Sequence, residues 1–226
     1  MIPGTFAIIG GGSGKTANFV ASRSSTSAVS TTYTFTNVPL GYYDPTRIIV
    51  LSVHHYKRDT SSYLNSASVG GVSATSRVSL TGYVPVASGS FVYCNLLTAA
   101  PTGATGTVSL TFSTIPGYGC AIGVWALYNV SSATPVSTST AGGFEATDYD
   151  FVLSAQPNDL VIAAASGVLG GTATTWTNAT ENFDIINASN LVSSGAQRDV
   201  FVAGDPGVSF LISSNSTKVG VAGVWR

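Results

Sequence analysis

The chain has 226 residues, of which only 8% are charged: nine Lys plus Arg, ten Asp plus Glu, and a formal net charge of −1. An ordinary soluble domain carries roughly 25% charged residues, so the exterior has to be built from Ser, Thr, Gly and Asn. Nine scattered basic residues exclude the electropositive footprint of nucleic-acid binding, and no apolar run reaches the roughly 18 residues needed to cross a bilayer.

Short β-branched and aromatic runs separated by Gly, Pro, Asn and Ser clusters predict an all-β chain with no long helix. In chain order the expected strands are Thr5 to Ile9, Thr31 to Val38, Arg47 to Tyr56, Ser66 to Val72, Phe91 to Leu97, Thr107 to Ser113, Ala121 to Tyr128, Phe151 to Ser154, Leu160 to Ser166, Glu181 to Ile186, Arg198 to Ala203, Ser209 to Ser213 and Lys218 to Trp225. These 13 or so strands suffice for one antiparallel, jelly-roll-like β-sandwich over residues 31–226. Residues 1–30 are expected to form an N-terminal strand and a Gly/Ser-rich arm. No repeat of fixed period is evident, although Val29 to Gly70 and Phe151 to Leu191 read as comparable sheet units.

Side-chain alternation says which faces are dry. Thr32-Tyr33-Thr34-Phe35-Thr36 and Thr107-Val108-Ser109-Leu110-Thr111-Phe112 place apolar groups at every second position, which predicts one buried and one hydroxyl-bearing face. Ile48-Ile49-Val50-Leu51 and Leu160-Val161-Ile162-Ala163-Ala164 are apolar throughout, as central strands covered on both sides should be.

Chemistry-bearing motifs are few. Ile9-Gly10-Gly11-Gly12-Ser13-Gly14-Lys15-Thr16 resembles a phosphate-binding loop, but its first glycine is replaced by Ile9 and no helical stripe follows. His54 and His55 are adjacent, so within a strand they project to opposite faces and cannot share a metal; they read as part of a solvated strand end, with His55 a possible partner contact. Glu145, Asp148 and Asp150 lack calcium-loop spacing, and no nucleophile elbow is present. We therefore expect no catalytic residue, cofactor or metal. Cys94 and Cys120 are expected to be buried thiols made in a reducing compartment. Met1 to Gly12 has no basic residue before its short apolar stretch, so no export signal is expected. Trp125 and Trp225 sit in apolar runs and read as core; Trp176, between Thr175 and Thr177, is the tryptophan open to exposure, with core or subunit interface its first reading and ligand its second, and Tyr42, Tyr43 and Tyr118 join it as candidates for a glycan or partner contact.

Arg47-Ile48-Ile49-Val50-Leu51-Ser52-Val53, Ser68-Val69-Gly70-Gly71-Val72-Ser73-Ala74, Gly106-Thr107-Val108-Ser109-Leu110-Thr111-Phe112 and Cys120-Ala121-Ile122-Gly123-Val124-Trp125-Ala126-Leu127 together resemble virion components of tailed bacteriophages, which are Ser/Thr/Gly-rich β-sandwiches of low charge. The resemblance implies a non-enzymatic structural protein of the virion, made in the bacterial host cytoplasm. It would decorate or stabilise the capsid or form an accessory part of the tail or fibre. Its partners would be itself, as a homotrimer or on a symmetric lattice, and other virion proteins, with no nucleic acid or membrane. Two further readings are a carbohydrate-binding adhesin for the host surface and a polysaccharide-degrading enzyme using two of Glu145, Asp148, Glu181 and Asp184.

Overall fold

Every regular element in the computed structural model is a β-strand; it describes residues 14–57, 62–84, 90–144, 148–168, 173–187, 191–213 and 216–226. The first nine strands are β1 (Thr16–Ser25), β2 (Thr32–Pro39), β3 (Ile48–Lys57), β4 (Leu64–Val69), β5 (Val72–Ser73), β6 (Thr75–Val84), β7 (Ser90–Ala99), β8 (Thr105–Phe112) and β9 (Cys120–Tyr128). The other eight are β10 (Ser137–Gly143), β11 (Tyr149–Asp150), β12 (Leu160–Val168), β13 (Thr174–Thr177), β14 (Thr180–Asn187), β15 (Leu191–Asp199), β16 (Ser209–Ile212) and β17 (Lys218–Trp225). They form four antiparallel sheets: two inner ones, ordered β1-β9-β3-β7-β6 and β10-β17-β12-β15-β14, and two outer ones, ordered β2-β8-β4-β5 and β11-β16-β13.

The expected all-β sandwich class holds, but the chain builds it twice. In the first half β1 pairs with β9, β2 with β8, β3 with β7 and β4 with β5, the nested pairing of a jelly roll. The second half repeats it with β10 and β17, β11 and β16, and β12 and β15. Only β5 lacks a counterpart. Val29 to Gly70 holds β2, β3 and β4 whereas Phe151 to Leu191 holds β12, β13 and β14, so the two spans correspond at β3 with β12 and β4 with β13 but not at their ends. The repeat is hidden in the sequence because partners differ in length: β2 has eight residues and its equivalent β11 has two.

The two jelly rolls pack inner sheet against inner sheet. β1 lies over β14, β9 over β15, β3 over β12, β7 over β17 and β6 over β10. This is the arrangement of a two-fold symmetric dimer, fused here into one chain, with β3 and β12 at the pseudo-axis. Three apolar layers result. Ile49, Leu51, Val53, Ile122 and Val124 face the first outer sheet; Val50, Trp125, Ile162, Phe183 and Val221 fill the space between the inner sheets; Val161, Ala163, Phe151, Phe210 and Val224 fill the last layer. The apolar runs Ile48 to Leu51 of β3 and Leu160 to Ala164 of β12 lie in central strands, as their composition predicts.

Several expectations are corrected. Thr16–Ser25, expected within the arm, is strand β1, hydrogen-bonded along Cys120–Tyr128; Thr5 to Ile9 lies outside the described residues. Arg198 to Ala203 is not a strand: β15 ends at Asp199 and the chain then turns, with Ala155 and Gly204 exchanging both backbone hydrogen bonds to set the loops after β11 and β15 side by side.

The middle layer closes tightly because glycines leave room for rings. A Cβ on Gly195 would lie 2.5 Å from Phe183 and 2.6 Å from Trp125, and one on Gly123 would lie 2.2 Å from Phe183. Gly195→Ala is expected to destabilise the protein by about 1–3 kcal/mol through overpacking. Denaturant unfolding checks this; an unchanged midpoint would contradict the packing described.

Candidate functional site

The interior is polar at one place in the middle layer, on the pseudo-axis. His54 and Ser166 lie the same number of residues beyond Ile48 and Leu160, which begin β3 and β12, and they meet there. The hydrogen bonds form an ordered chain: the Gly123 amide donates to Ser52 Oγ at 3.0 Å, and Ser52 Oγ lies 2.9 Å from His54 Nε2. His54 Nδ1 lies 2.8 Å from Ser166 Oγ, which donates to the Tyr93 carbonyl at 3.0 Å. Because the Ser166 proton is committed to Tyr93, His54 donates through Nδ1 and accepts through Nε2, which assigns a neutral tautomer. Burial, with a smaller contribution from His55, pushes the His54 pKa down to about 3. Every member of this chain faces protein, so it holds the sheets together and reaches no substrate.

His55 points to the opposite face, as expected, but it is fully buried rather than at a solvated strand end. Its ring lies flat on Tyr93, with centroids 4.2 Å apart, and Nε2 lies 2.9 Å from the Ser62 carbonyl; burial lowers its pKa to about 4. The error has a physical origin: β3 is covered by a sheet on each side, and its far end is as enclosed as its middle. Cys94 and Cys120 are buried free thiols, one facing the middle layer and the other the first. Opposite faces of one sheet preclude a disulfide between them.

The buried charges are anchors. Arg47 donates to the Gly41 and Tyr42 carbonyls, both at 3.1 Å, and across to Pro101 at 2.5 Å and Gly103 at 2.8 Å, tying two loops together. Asp159 accepts from Arg226 at 2.8 and 3.1 Å and lies 3.5 Å from Lys15 Nζ. Burial raises the Asp159 carboxyl, but the bonds from Arg226 and the Gln156 amide, with the two cations, hold it below its ordinary value. Lys218 donates to the Ser216 carbonyl at 3.0 Å, among other partners, beside a hollow of about 240 Å³ between β6 and β10.

The candidate aromatics do not come together. Trp176 is not an exposed platform: its Nε1 donates to Ser194 Oγ at 2.8 Å and its ring packs on Phe210 in the last layer. Tyr118 stacks on Tyr56, 5.0 Å between centroids, at the end of β3 opposite to Tyr42 and Tyr43. Those two are exposed, on the loop before β3. Of the candidate acids, Glu145 lies outside the described residues and Asp148 is exposed. Glu181 and Asp184 share the edge strand β14, where burial raises both; Asp184 adds to the rise at Glu181, while Thr174 bonds oppose it at Asp184. Among the described residues no three His, Cys, Asp or Glu side chains gather into a potential metal site.

What sequence reasoning missed is one end of the molecule. The Lys15 to Asp159 contact joins the starts of β1 and β12, and the registers put the loops before β3 and β12 and after β7 and β15 at that same end. There Phe201 is 80%, Val202 77% and Val152 77% exposed. The Phe201 loop is pinned by Arg198, which donates to the Pro206 carbonyl at 2.6 Å and the Asn178 carbonyl at 2.9 Å. Open depressions of about 430 and 170 Å³ flank Phe201. The Asp205-Pro206-Gly207 turn signal was the available clue to this loop.

The chain matches no family model, no curated protein and no solved structure.

The buried histidines make a prediction about acid. Both folded pKa values lie below the ordinary 6.5, so the unfolded chain takes up protons that the fold excludes as pH falls through about 6.5. Stability present above that value is then lost by about 2 kcal/mol per histidine at pH 5, a window above that of Asp159. Urea unfolding at pH 7 and pH 5 checks this: His54→Gln should be less stable at pH 7 but lose about half as much on acidification. An identical loss in both proteins would contradict a buried neutral His54.

Proposed function

We propose that this chain is a structural component of a bacteriophage particle, decorating or stabilising the capsid or forming an accessory part of the tail or fibre through self-complementary contacts. The observation that carries the reading is the pinned loop end. Phe201 and Val202 are adjacent, almost fully exposed, and fixed in place by Arg198 and by the Ala155–Gly204 bridge. A loop whose backbone is already pinned has less freedom to lose on docking, which favours lasting contact. The sparse ionisation of the chain supports the same reading, since little charge repulsion keeps neighbours apart. The buried polar groups described above are spent on holding sheets and loops.

The reading is tested on the full chain. Sedimentation is expected to show a discrete oligomer, and mass spectrometry to find the chain in purified particles. The double variant Phe201→Asp, Val202→Asp should lose assembly while its stability stays within about 0.5 kcal/mol, as for other surface changes. A monomer at every concentration, absent from particles, would overturn the reading.

A further inference from the structure

The same end of the molecule carries a second feature, which the assembly reading does not use. Tyr42 and Tyr43 are 55% and 53% exposed, and Tyr42 has one face backed by protein. Tyr42 lies flat on buried Tyr128, with centroids 4.1 Å apart and planes within 5°; with that face covered, its exposure comes from the other face and the rim. The Arg47 guanidinium carbon sits 5.8 Å from the centroid of Tyr43, and because Arg47 is buried it marks the inner side of that ring.

The loop holding both rings is already fixed. Arg47 ties the Gly41 and Tyr42 carbonyls to Pro101 and Gly103, and the Tyr128 hydroxyl donates to the Tyr42 carbonyl at 3.0 Å. Gly41 has φ +76, and a Cβ there would lie 2.5 Å from the Tyr128 hydroxyl, so only glycine fits beneath the rings. Around this aromatic floor the neighbours are polar. Asp44 Oδ1 accepts from the Thr46 amide at 2.7 Å and the Thr46 hydroxyl at 2.5 Å, which leaves Oδ2 for an outside donor. Those two bonds, the hydroxyl's first, lower the Asp44 pKa and keep it an acceptor. The Thr46 hydroxyl in turn accepts from the Asn129 amide at 3.3 Å.

We propose that Tyr42, Tyr43 and Asp44 form a binding site for a neutral saccharide, in which a pyranose stacks its C–H face on the two rings and donates a hydroxyl to Asp44. The chemistry selects this ligand class. A sugar ring is apolar on its face and hydroxylated on its edge, which matches an aromatic floor with a carboxylate beside it. An acidic glycan would meet the Asp44 charge. A nucleic acid would stack equally well, but its phosphates need an exposed cation, and the cation of this loop, Arg47, is buried. A protein hot spot is ringed by further packing surface that excludes water, whereas this floor is bordered by Asp44, Thr46 and Asn129.

The test is calorimetric or NMR titration of the full chain with neutral gluco-, galacto- and manno-configured oligosaccharides, with a uronic-acid oligosaccharide and a single-stranded oligonucleotide as comparisons. One neutral series is expected to bind. Tyr43→Ala should weaken it by about tenfold or more, a loss of ~1.4 kcal/mol, Asp44→Asn should also weaken it, and Tyr43→Phe should retain it. Tyr42→Ala also removes a contact with Tyr128, so Tyr43 is the deciding position. No binding of any neutral saccharide, binding unchanged in Tyr43→Ala, or preference for the acidic glycan or the oligonucleotide would overturn the site. Incorporation into particles without sugar binding overturns this site alone; sugar binding by a free monomer overturns the assembly reading alone.

Discussion

Two five-stranded sheets pressed face to face, each covered again on its outer side, set the terms for the rest of the molecule. Apart from Ile48 and Lys57 at the ends of β3, every residue of β3, β9, β12 and β17 is buried, so their side chains are apolar, small or hydrogen-bonded. The run from the Gly123 amide to the Tyr93 carbonyl meets that requirement through three side chains drawn from both halves. A charged His54 would need a second acceptor where Ser52 now donates, which is the structural reason for its low pKa. The same closeness explains the glycines: Gly123 and Gly195 are the pits into which Phe183 and Trp125 fit.

That packing also decides what is left for the outside. Sheet edges are the usual sites of unwanted pairing; among the described strands four edges are interrupted from within, while the edge strand β10 pairs with β17 along all seven residues without a shift. β1 shifts register between Phe19 and Ala21, β6 between Ser76 and Val78, and β14 between Glu181 and Phe183, while β2 is broken between Phe35 and Val38. Bulges of this kind twist an edge away from a partner.

The parts of the fold legible in the sequence are those where one rule acts alone. β3 and β12 read as central because their first halves, Ile48 to Leu51 and Leu160 to Ala164, are apolar throughout, and β2 and β8 read as half-buried because they alternate. β15 was illegible: Ser193, Ser194 and Gly195 look like a loop, yet Gly195 is bare because Phe183 and Trp125 occupy the space against it, and Ser194 accepts from the indole of Trp176. β1 was lost because its bulge between Phe19 and Ala21 breaks the two-residue period, whereas β6 keeps that period from Val78 to Thr81 and was readable there. The same limit applies to the sites. The opposite directions of His54 and His55 follow from adjacency in a strand, but their burial depends on sheets contributed by distant residues. Tyr42 and Tyr43, named as candidate contacts, are exposed, whereas Trp176 takes its core reading, against a partner, Phe210, that lies far along the chain. Phe201 and Val202 were hidden inside a run that looked like a strand.

Native-state hydrogen exchange tests the central constraint most directly. If the inner sheets support each other, the amides of β3 and β12 should exchange only on global unfolding, with the same free energy and the same denaturant dependence in both strands. Exchange of β12 through an opening that leaves β3 protected, or the converse, would show two independent sandwiches and contradict the account.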